Sequence, residues 1–273
     1  MKKILFFVIC FVGFLFANSL QEILQNKEIR VGIRVDFPPL GTLKDDKLQG
    51  FEVDLSKKIF KEVFKDKNVS VKFVGVTSKN RISFLDENKI DVAFAALAQT
   101  PSRVKQVDFS MPYLTTNMAI ISKKGGDFKM LDDFKSKTLL VIPKTASDEF
   151  INKNQNKFVN IKIKNCSGLN DCFAMLQNGE ADGYFHSILA IGILPILYPD
   201  YEIGVGLVGK SDLVGCAVKK GNKELLKVIN NEIIKLMSTS FFKDAYHNSF
   251  DVYYKGKLDK KYFLLDNLYS RFL

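Results

Sequence analysis

The strongest constraint on the fold is the alternation of short β-rich runs with helical patterns. The strand candidate EIRVGIRV is followed by the helical pattern FEVDLSKKIFKEVFKD, the strand VSVKFVGV, a short helix in SKNRISFLDENK and the strand IDVAFAAL. In the longer helix, apolar residues such as Val53, Ile59 and Phe60 recur near helical spacing. This alternation predicts a doubly wound α/β unit with a mostly parallel sheet.

The same pattern starts again later in the chain. The strand candidates here are MAIISKK, TLLVIPK, NIKIKN and ADGYFH, and VGCAV resembles a further strand. The helical patterns are LDDFKSK, a segment from about Ser147, and GLNDCFAMLQNG. We expect two α/β lobes with a ligand cleft between them. The predicted divisions are residues 18–116 and 213–248 for the first lobe, 117–212 for the second, and 249–273 for a C-terminal tail. The segment NKELLKVINNEIIKLMSTSFFKDAYHNSF before that tail is amphipathic and helical.

The chain opens with the layout of a secretory signal peptide. Two lysines precede an apolar run, and the small residue Ala17 follows it. We expect cleavage after about Ala17 and export to the periplasm; an uncleaved N-terminal anchor is the alternative, although the run is short for a bilayer.

Charge and cysteine content exclude some classes of function. The net charge is +10, but the lysines are scattered over segments such as KKIFKEVFKDKN, a pattern typical of a solvated helix face. We therefore expect no nucleic-acid partner, although the excess could favour anionic ligands. The two histidines lack metal-ligand spacing with cysteine, so we expect no metal and no cofactor. Cys166 and Cys172 could pair in an oxidising compartment, but their spacing does not decide it; Cys216 is expected to be a buried hydrophobe.

Arg103 occupies an unusual position in AALAQTPSR. Thr100 is a good helix N-cap and Pro101 a good first helical residue, which places Arg103 in the first turn. A cation there is opposed by the helix dipole unless an anion is bound nearby. Since guanidinium matches a carboxylate, the segment could be a carboxylate receptor. A solvent-facing arginine is the alternative.

Four stretches make the chain resemble a known family. VGIRVDFPPL, GFEVDLSKKI, IDVAFAALAQTPSRVKQVDFSMPY and NGEADGYFHS are similar to segments of the family 3 extracellular solute-binding proteins, the periplasmic amino-acid receptors of ABC importers. The resemblance covers nearly all of the chain after the signal peptide. It implies a two-lobed type II periplasmic-binding-protein fold, a monomer, and an ABC permease as partner. It also implies that Arg103 binds the α-carboxylate of the solute.

The resemblance also suggests how a second acidic group would be bound. Arg34 and Arg81 align with basic residues that acidic-amino-acid binders use on the side-chain carboxylate, and the C-terminal stretch resembles the extra tail of glutamate/aspartate binders. Arg34 could equally face solvent, and an arginine at the position of Arg81 also occurs in relatives with neutral ligands. Phe37 is either a wall of the pocket or part of the lobe packing.

Several positions depart from the family pattern. Ala98 replaces a hydroxyl residue that contacts the carboxylate, which leaves the Ala98 amide and the Ala96 carbonyl as backbone contacts. Lys144 stands where glycine is expected, beside the candidate backbone donors Thr145 and Ala146. The acid that receives the ligand's ammonium aligns with Ser187, preceded by His186.

A buried ammonium without a carboxylate partner is costly. Either another acid substitutes, with Glu52, Asp148 and Glu149 as candidates, or the ligand has no free amine. The basic residues together with the absent acid favour an anionic ligand, such as a dicarboxylate or a modified amino acid, over a typical zwitterion. A polar or acidic amino acid is the broader expectation.

Two other functions remain open. The same fold carries periplasmic enzymes, and a lyase similar to cyclohexadienyl dehydratase would need a general acid or base; Glu149 and His186 are the candidates. A receptor that signals to a chemosensory protein is the other alternative. Because no catalytic constellation is evident, we expect a binding protein without catalysis.

Overall fold

Strands and helices alternate through the described part of the chain. The computed structural model describes residues 19–258. The predicted signal peptide lies outside that range, as do residues 259–273 of the predicted tail. The strands are β1 (Glu28–Arg34), β2 (Asp36–Phe37), β3 (Gly41–Lys44), β4 (Lys47–Gln49), β5 (Ser70–Val76), β6 (Val92–Phe94), β7 (Val107–Phe109), β8 (Leu114–Lys123), β9 (Thr138–Val141), β10 (Lys162–Asn165), β11 (Gly183–Ser187), β12 (Tyr201–Val214) and β13 (Ala217–Lys219).

The α-helices pack around these strands and are joined by a few shorter helical turns. They are α1 (Leu20–Asn26), α2 (Phe51–Val63), α3 (Ser83–Asp86), α4 (Pro101–Gln106), α5 (Ala146–Lys153), α6 (Leu169–Gln177), α7 (Ile188–Ile191), α8 (Leu194–Leu197), α9 (Lys223–Met237), α10 (Phe241–Ala245) and α11 (Val252–Tyr254). Two 3₁₀ turns (Leu131–Phe134, Gln155–Phe158) and a π-helical stretch (Tyr246–Asp251) complete them. Within residues 19–258, no helix has both the length and the apolar character needed to cross a membrane.

The first lobe is built on a five-stranded sheet in the order β5-β1-β6-β13-β7. β1 pairs in parallel with β5 and β6, as the βαβ pattern predicts. β13 pairs antiparallel with β6 and β7, so β5, β1, β6 and β7 all run in one direction, as the predicted mostly parallel sheet requires, and β13 runs opposite to them. The reason is connectivity: β13 returns from the second lobe directly, without the helical crossover that a parallel strand requires.

The second lobe is built on a sheet in the order β10-β9-β11-β8-β12. β9 pairs in parallel with β10 and β11, whereas β8 pairs antiparallel with β11 and β12. β8 and β12 also carry the chain between the lobes, because Leu114 pairs with Val214, and Val214 forms a bridge with Ala98 of the first lobe. The predicted divisions at 116/117 and 212/213 each fall inside one of these continuous strands.

The helix predicted from FEVDLSKKIFKEVFKD follows its apolar periodicity closely. In α2, Val53, Leu55, Ile59 and Phe60 are buried against the first sheet, while Asp54 is exposed. This inward stripe is the physical basis of the sequence pattern, since burial of apolar surface stabilises the lobe. The helix also buries an acid, Glu52, which lies beneath the cleft.

The C-terminal helical segment is broken rather than continuous. α9 ends at Met237, where the hydroxyls of Ser238 and Thr239 donate to the carbonyls of Lys235 and Leu236 at 2.7 Å each. These bonds add to those that the amides of Ser238 and Thr239 donate to the same two carbonyls at the helix end. α10, the π-helical stretch and α11 then follow as separate turns.

The three cysteines of the described chain have different environments. Cys166 and Cys172, whose pairing the sequence leaves open, are joined in a disulfide at the start of α6. Cys216 is buried and free.

Candidate ligand-binding site

A cavity of about 30 Å³ lies between the lobes and is lined by residues of both. All ten residues that the sequence singles out for ligand binding are in its lining: Arg34, Phe37, Arg81, Ala96, Ala98, Arg103, Thr145, Ala146, His186 and Ser187. The other six lining residues are Leu40, Thr116, Met118, Ser147, Leu189 and Val214. The structure thus brings the predicted residues together, while their roles toward a ligand stay a prediction.

Arg103 links the two lobes at one wall of the cavity. Its side chain is buried, with 4% of the residue exposed. Nη1 donates to the Ala98 carbonyl at 3.1 Å in the first lobe, and Nη2 donates to the Lys144 carbonyl at 3.2 Å in the second. Burial lowers the pKa of Arg103, and the negative charges of Glu149 and Asp212 partly oppose this shift. Arg103 therefore does not face solvent.

Glu149 occupies the N-terminal end of α4, where the sequence suggested that a ligand anion could lie. Its carboxylate accepts hydrogen bonds from the Thr100 hydroxyl at 2.5 Å and from the Ser102 amide at 3.3 Å, and it also pairs with Lys153. Burial raises the pKa of Glu149, but the hydrogen bonds from Lys153, Ser102 and Thr100 outweigh it and lower the pKa to about 2. The anion beside Arg103's helix is thus a carboxylate of the second lobe.

Arg81 is buried at the floor of the cavity with unused donors. Its Nη1 donates to the carbonyls of Ala95 at 2.5 Å and Ala96 at 2.9 Å. Its Nε is buried and has no hydrogen-bond partner within the described part of the chain. Burial lowers the pKa of Arg81 well below the usual value, and the neighbouring charges of Arg103 and Arg34 add to the effect. A buried, partly unpaired guanidinium is costly unless an anion compensates it.

Arg34 points into the cavity rather than into solvent, which excludes the solvent-facing alternative. It is 4% exposed, and its Nε donates to Asp36 at 2.7 Å. Its guanidinium carbon lies 5.1 Å from the centre of the Phe37 ring, within the range of a cation–π contact. Phe37 in turn lies near His186, with ring centres 6.3 Å apart.

Ala96 turns the chain beneath the cavity in a left-handed conformation, with φ of 51°. Its amide donates to both carboxylate oxygens of Glu52, at 2.9 and 3.0 Å, and Tyr113 donates its hydroxyl to the same carboxylate at 2.5 Å. Burial raises the pKa of Glu52, and these hydrogen bonds oppose the shift. Glu52 fixes this turn and is absent from the cavity lining.

The turn before α5 brings backbone amides toward the cavity. Lys144, where the family pattern has glycine, adopts a left-handed φ of 64°, and its amide donates to Asp148 at 2.8 Å. The Thr145 amide makes a long bond of 3.4 Å to the Ile142 carbonyl. Within residues 19–258, the Ala146 amide has no acceptor, so it remains a candidate donor to a ligand.

His186 and Ser187 form the opposite wall. The Ser187 amide donates to Nδ1 of His186 at 2.8 Å, so the proton of the neutral ring is on Nε2. Burial, with the charge of Arg34 adding to it, lowers the pKa of His186 to about 3. The Ser187 hydroxyl lies 2.6 Å from that of Thr116 and accepts from the Leu189 amide at 3.2 Å. At neutral pH this wall offers an N–H donor and hydroxyls but no negative charge.

The three acids considered as substitutes for the missing carboxylate do not line the cavity. Glu52 lies beneath it, Asp148 caps the Lys144 turn, and Glu149 faces α4. Glu149 and His186 are the two acid–base candidates. Because Glu149 lies outside the cavity lining, the two do not share a cavity wall. Among the described residues, the cavity lining holds neither a carboxylate that could pair with an ammonium nor a paired acid and base.

The fold and the sequence have known counterparts. The family model of the bacterial extracellular solute-binding proteins, family 3, matches residues 29–251. The chain belongs to this family. A cysteine-binding protein from Campylobacter jejuni has a similar structure, with a TM-score of 0.81 and 34% identity, over 89% of this chain and 97% of that one.

Curated relatives span a similar length. A glutamine-binding protein of an ABC transporter from Bacillus subtilis is 26% identical over 84% of this chain and 83% of its own. A glutamate/aspartate import solute-binding protein from Escherichia coli is 26% identical over 89% of this chain and 82% of its own. Members of this family are extracellular binding proteins of transport systems, and their named ligands differ from one to the next.

Sequence reasoning missed residues on the two crossing strands. Thr116 and Met118 on β8 and Val214 on β12 line the cavity, and Asp212 on β12 lies close enough to Arg103 to affect its pKa. β12 carries three glycines and was not predicted as one strand, so no sequence signal placed these residues beside the cleft. The antiparallel pairing of β8 with β12 brings these residues to the cleft.

Proposed function

We propose that the protein captures a small carboxylate-bearing solute, a polar or acidic amino acid or a related anion, for an ABC importer. The observation that carries this proposal is Arg103, buried in the cavity wall and hydrogen-bonded to carbonyls of both lobes. A carboxylate bound there would neutralise a desolvated guanidinium and join the lobes through one ligand. Such closure around a solute is an ordinary hinge motion.

The size and lining of the cavity support a small solute. A volume of about 30 Å³ accommodates about two water molecules. An amino acid or a short dicarboxylate is larger than two water molecules, so its capture requires the lobes or the lining side chains to move apart. Relatives named for glutamine and for glutamate/aspartate, and a structural neighbour named for cysteine, agree with a small carboxylate-bearing solute.

The remaining features of the proposal come from the family and the N-terminal sequence. We propose that the protein works in the periplasm as a monomer, that residues 1–17 direct its export, and that the closed form docks on a permease in the inner membrane. It needs no catalytic step, since Glu149 is engaged with α4 and His186 has no acidic partner in the cavity.

Arg103→Ala tests this function. The variant removes the guanidinium that would pair with the carboxylate, so ligand affinity is expected to fall by about 2–5 kcal/mol. The measurement is titration calorimetry on protein freed of co-purified ligand by unfolding and refolding. The ligand is first found with a thermal-shift panel of the standard amino acids and small carboxylates, because binding to the native state raises the melting temperature.

Lys105→Ala is the matched control, since Lys105 lies on the same helix but is exposed. Its affinity should equal that of the wild type. Equal affinities for the Arg103→Ala and Lys105→Ala variants would overturn the proposed function.

A further inference from the structure

The charged lining of the cavity is entirely cationic. Of its sixteen residues, Arg34, Arg81 and Arg103 carry positive charge, and none is aspartate or glutamate. The nearby acids lie outside the lining: Glu52 is bonded to the Ala96 amide and Tyr113, Glu149 to the first turn of α4, and Asp212 on β12 acts on Arg103 through its charge alone.

Asp36 is the acid in direct contact with a lining arginine, and it does not offset the three charges. It accepts from Arg34 Nε at 2.7 Å, but its own side chain is 42% exposed and lies outside the lining. Solvent screens an exposed carboxylate, so its attraction for a group inside the cavity is weak.

The same lining has more hydrogen-bond donors than acceptors. Arg81 Nε is buried and unpartnered, and the terminal nitrogens of Arg34 have no hydrogen-bond acceptor within residues 19–258. His186 accepts the Ser187 amide at Nδ1, so its ring offers Nε2–H as a further donor. The carbonyls of Ala96 and Ala98 already accept from arginines. An ammonium, which only donates, finds few acceptors here.

We propose that the solute is a short dicarboxylate without a free ammonium, with one carboxylate on Arg103 and the other between Arg34 and Arg81. This inference rests on the proposed function, because it takes the cavity as the binding site. Two carboxylates supply the acceptors that the guanidiniums lack. An ammonium in the same space would be desolvated near three cations, with no acid among the described lining residues to pair with it.

Pairs of ligands that differ by one ammonium test the proposal in the wild-type protein. Succinate is compared with aspartate, and glutarate with glutamate, by titration calorimetry after unfolding and refolding to remove bound solute. In at least one pair the amine-free member should bind about tenfold or more tightly, since an unpaired buried charge is strongly unfavourable. Butyrate, which has a methyl group in place of one carboxylate of succinate, should bind about tenfold or more weakly than succinate.

The outcomes separate this inference from the proposed function. Tighter or equal binding of the amino acid in both pairs, or binding of another standard amino acid with none of these four, overturns the dicarboxylate and leaves the capture of a carboxylate standing. Binding by neither these compounds nor any standard amino acid overturns both.

Ser187→Asp provides a gain-of-function test of the same argument. The new carboxylate would lie in the cavity wall as a partner for an ammonium. The amino acid of each pair should therefore bind more tightly than its amine-free counterpart, the reverse of the order in the wild type. Ser187→Asn, similar in size but uncharged, should lower both affinities together without reversing the order. A reversal in the Ser187→Asn variant, or no change of order in a folded Ser187→Asp variant, would contradict the proposal.

Discussion

Two non-glycine residues beside the cavity, Ala96 and Lys144, hold left-handed backbone conformations. Each costs about 1–2 kcal/mol for a residue with a Cβ atom, so neighbouring groups must fix it. In both cases a carboxylate accepts the amide of the strained residue, Glu52 for Ala96 and Asp148 for Lys144. These acids act as positioning residues for the two carbonyls that hold Arg81 and Arg103.

Asp212 is the residue at which we expect a clear effect of pH on stability. Burial raises its pKa from 3.8 to about 6, although Arg103 opposes the shift, and the nearby Glu149 adds to it. Because the folded-state pKa is the higher one, stability is lost as the pH rises from about 4 to about 6, by at most about 3 kcal/mol. Asp212→Asn removes this loss. Its free energy of unfolding in urea should exceed that of the wild type at pH 7.5 but not at pH 4.

A constant difference between the two proteins across that pH range would show that Asp212 does not titrate as described. Asp200→Asn serves as the control, because that side chain is exposed at the edge of the second lobe and should leave the pH dependence unchanged.

At the scale of single residues, the sequence predicts which side chains belong to the candidate site better than it predicts which residues they contact. Thr100 and Pro101 mark a helix start and so place Arg103 in its first turn, whereas the burial of Arg103, which the sequence leaves open, comes from the structure. That Glu149 would cover the same helix start could not be predicted, since the contact joins residues about fifty positions apart in different lobes. Asp212 carries no local signal at all.

At the scale of elements, α4 and α5 meet across the cleft through Glu149. The carboxylate of α5 accepts from Thr100 and Ser102 at the start of α4, so this contact exists only while the lobes are close. Negative charge at a helix N-terminus is favourable, and a closed-state contact raises ligand affinity by favouring the closed population.

Glu149→Gln should therefore weaken ligand binding by about three- to tenfold at pH 7, a modest loss because the group is partly exposed. Since the pKa of Glu149 is depressed from 4.5 to about 2, its contribution is present above pH 4.5 and is lost as the pH falls toward 2. Titration calorimetry with the ligand found above gives the affinity. Glu180→Gln removes the same charge from an exposed pair with Lys164 and should have no effect; equal losses in both variants would argue against the contact.

The sequence predicts some helices and strands correctly and misses others. Apolar periodicity located α2 and the parallel strands, because burial on one face leaves a readable pattern. β12 is fourteen residues long and was not predicted, since its glycines weaken strand propensity and its pairing with β8 shifts register three times. Its existence depends on a partner strand that is distant in sequence.

At the scale of the whole molecule, the C-terminal turns connect the first lobe to the cavity wall. Tyr254 is buried in the core that contains Phe51 and Phe250. Its hydroxyl donates to the carbonyl of Leu189, a lining residue of the second lobe, at 2.6 Å. The helical chain after β13 therefore packs on the first lobe and also contacts the cavity wall.

Tyr254→Phe should lower the free energy of unfolding by about 1–3 kcal/mol, because the buried Leu189 carbonyl loses this donor. Chemical denaturation in urea measures the change. Tyr253→Phe is the matched control: its hydroxyl has no hydrogen bond to residues 19–258, so stability should stay close to wild type. A loss in Tyr254→Phe no larger than in this control would count against the connection.

The Tyr254–Leu189 hydrogen bond has a practical consequence. It couples α11 to a wall of the cleft, while Val252 on the same helix is 71% exposed. Cys216 is buried and the other two described cysteines are bonded to each other, so in the protein without residues 1–17, which include Cys10, a thiol introduced at Val252 can be labelled selectively. A fluorescent dye at that site would report solute capture as an optical signal, turning the receptor into a reagentless sensor for its own ligand.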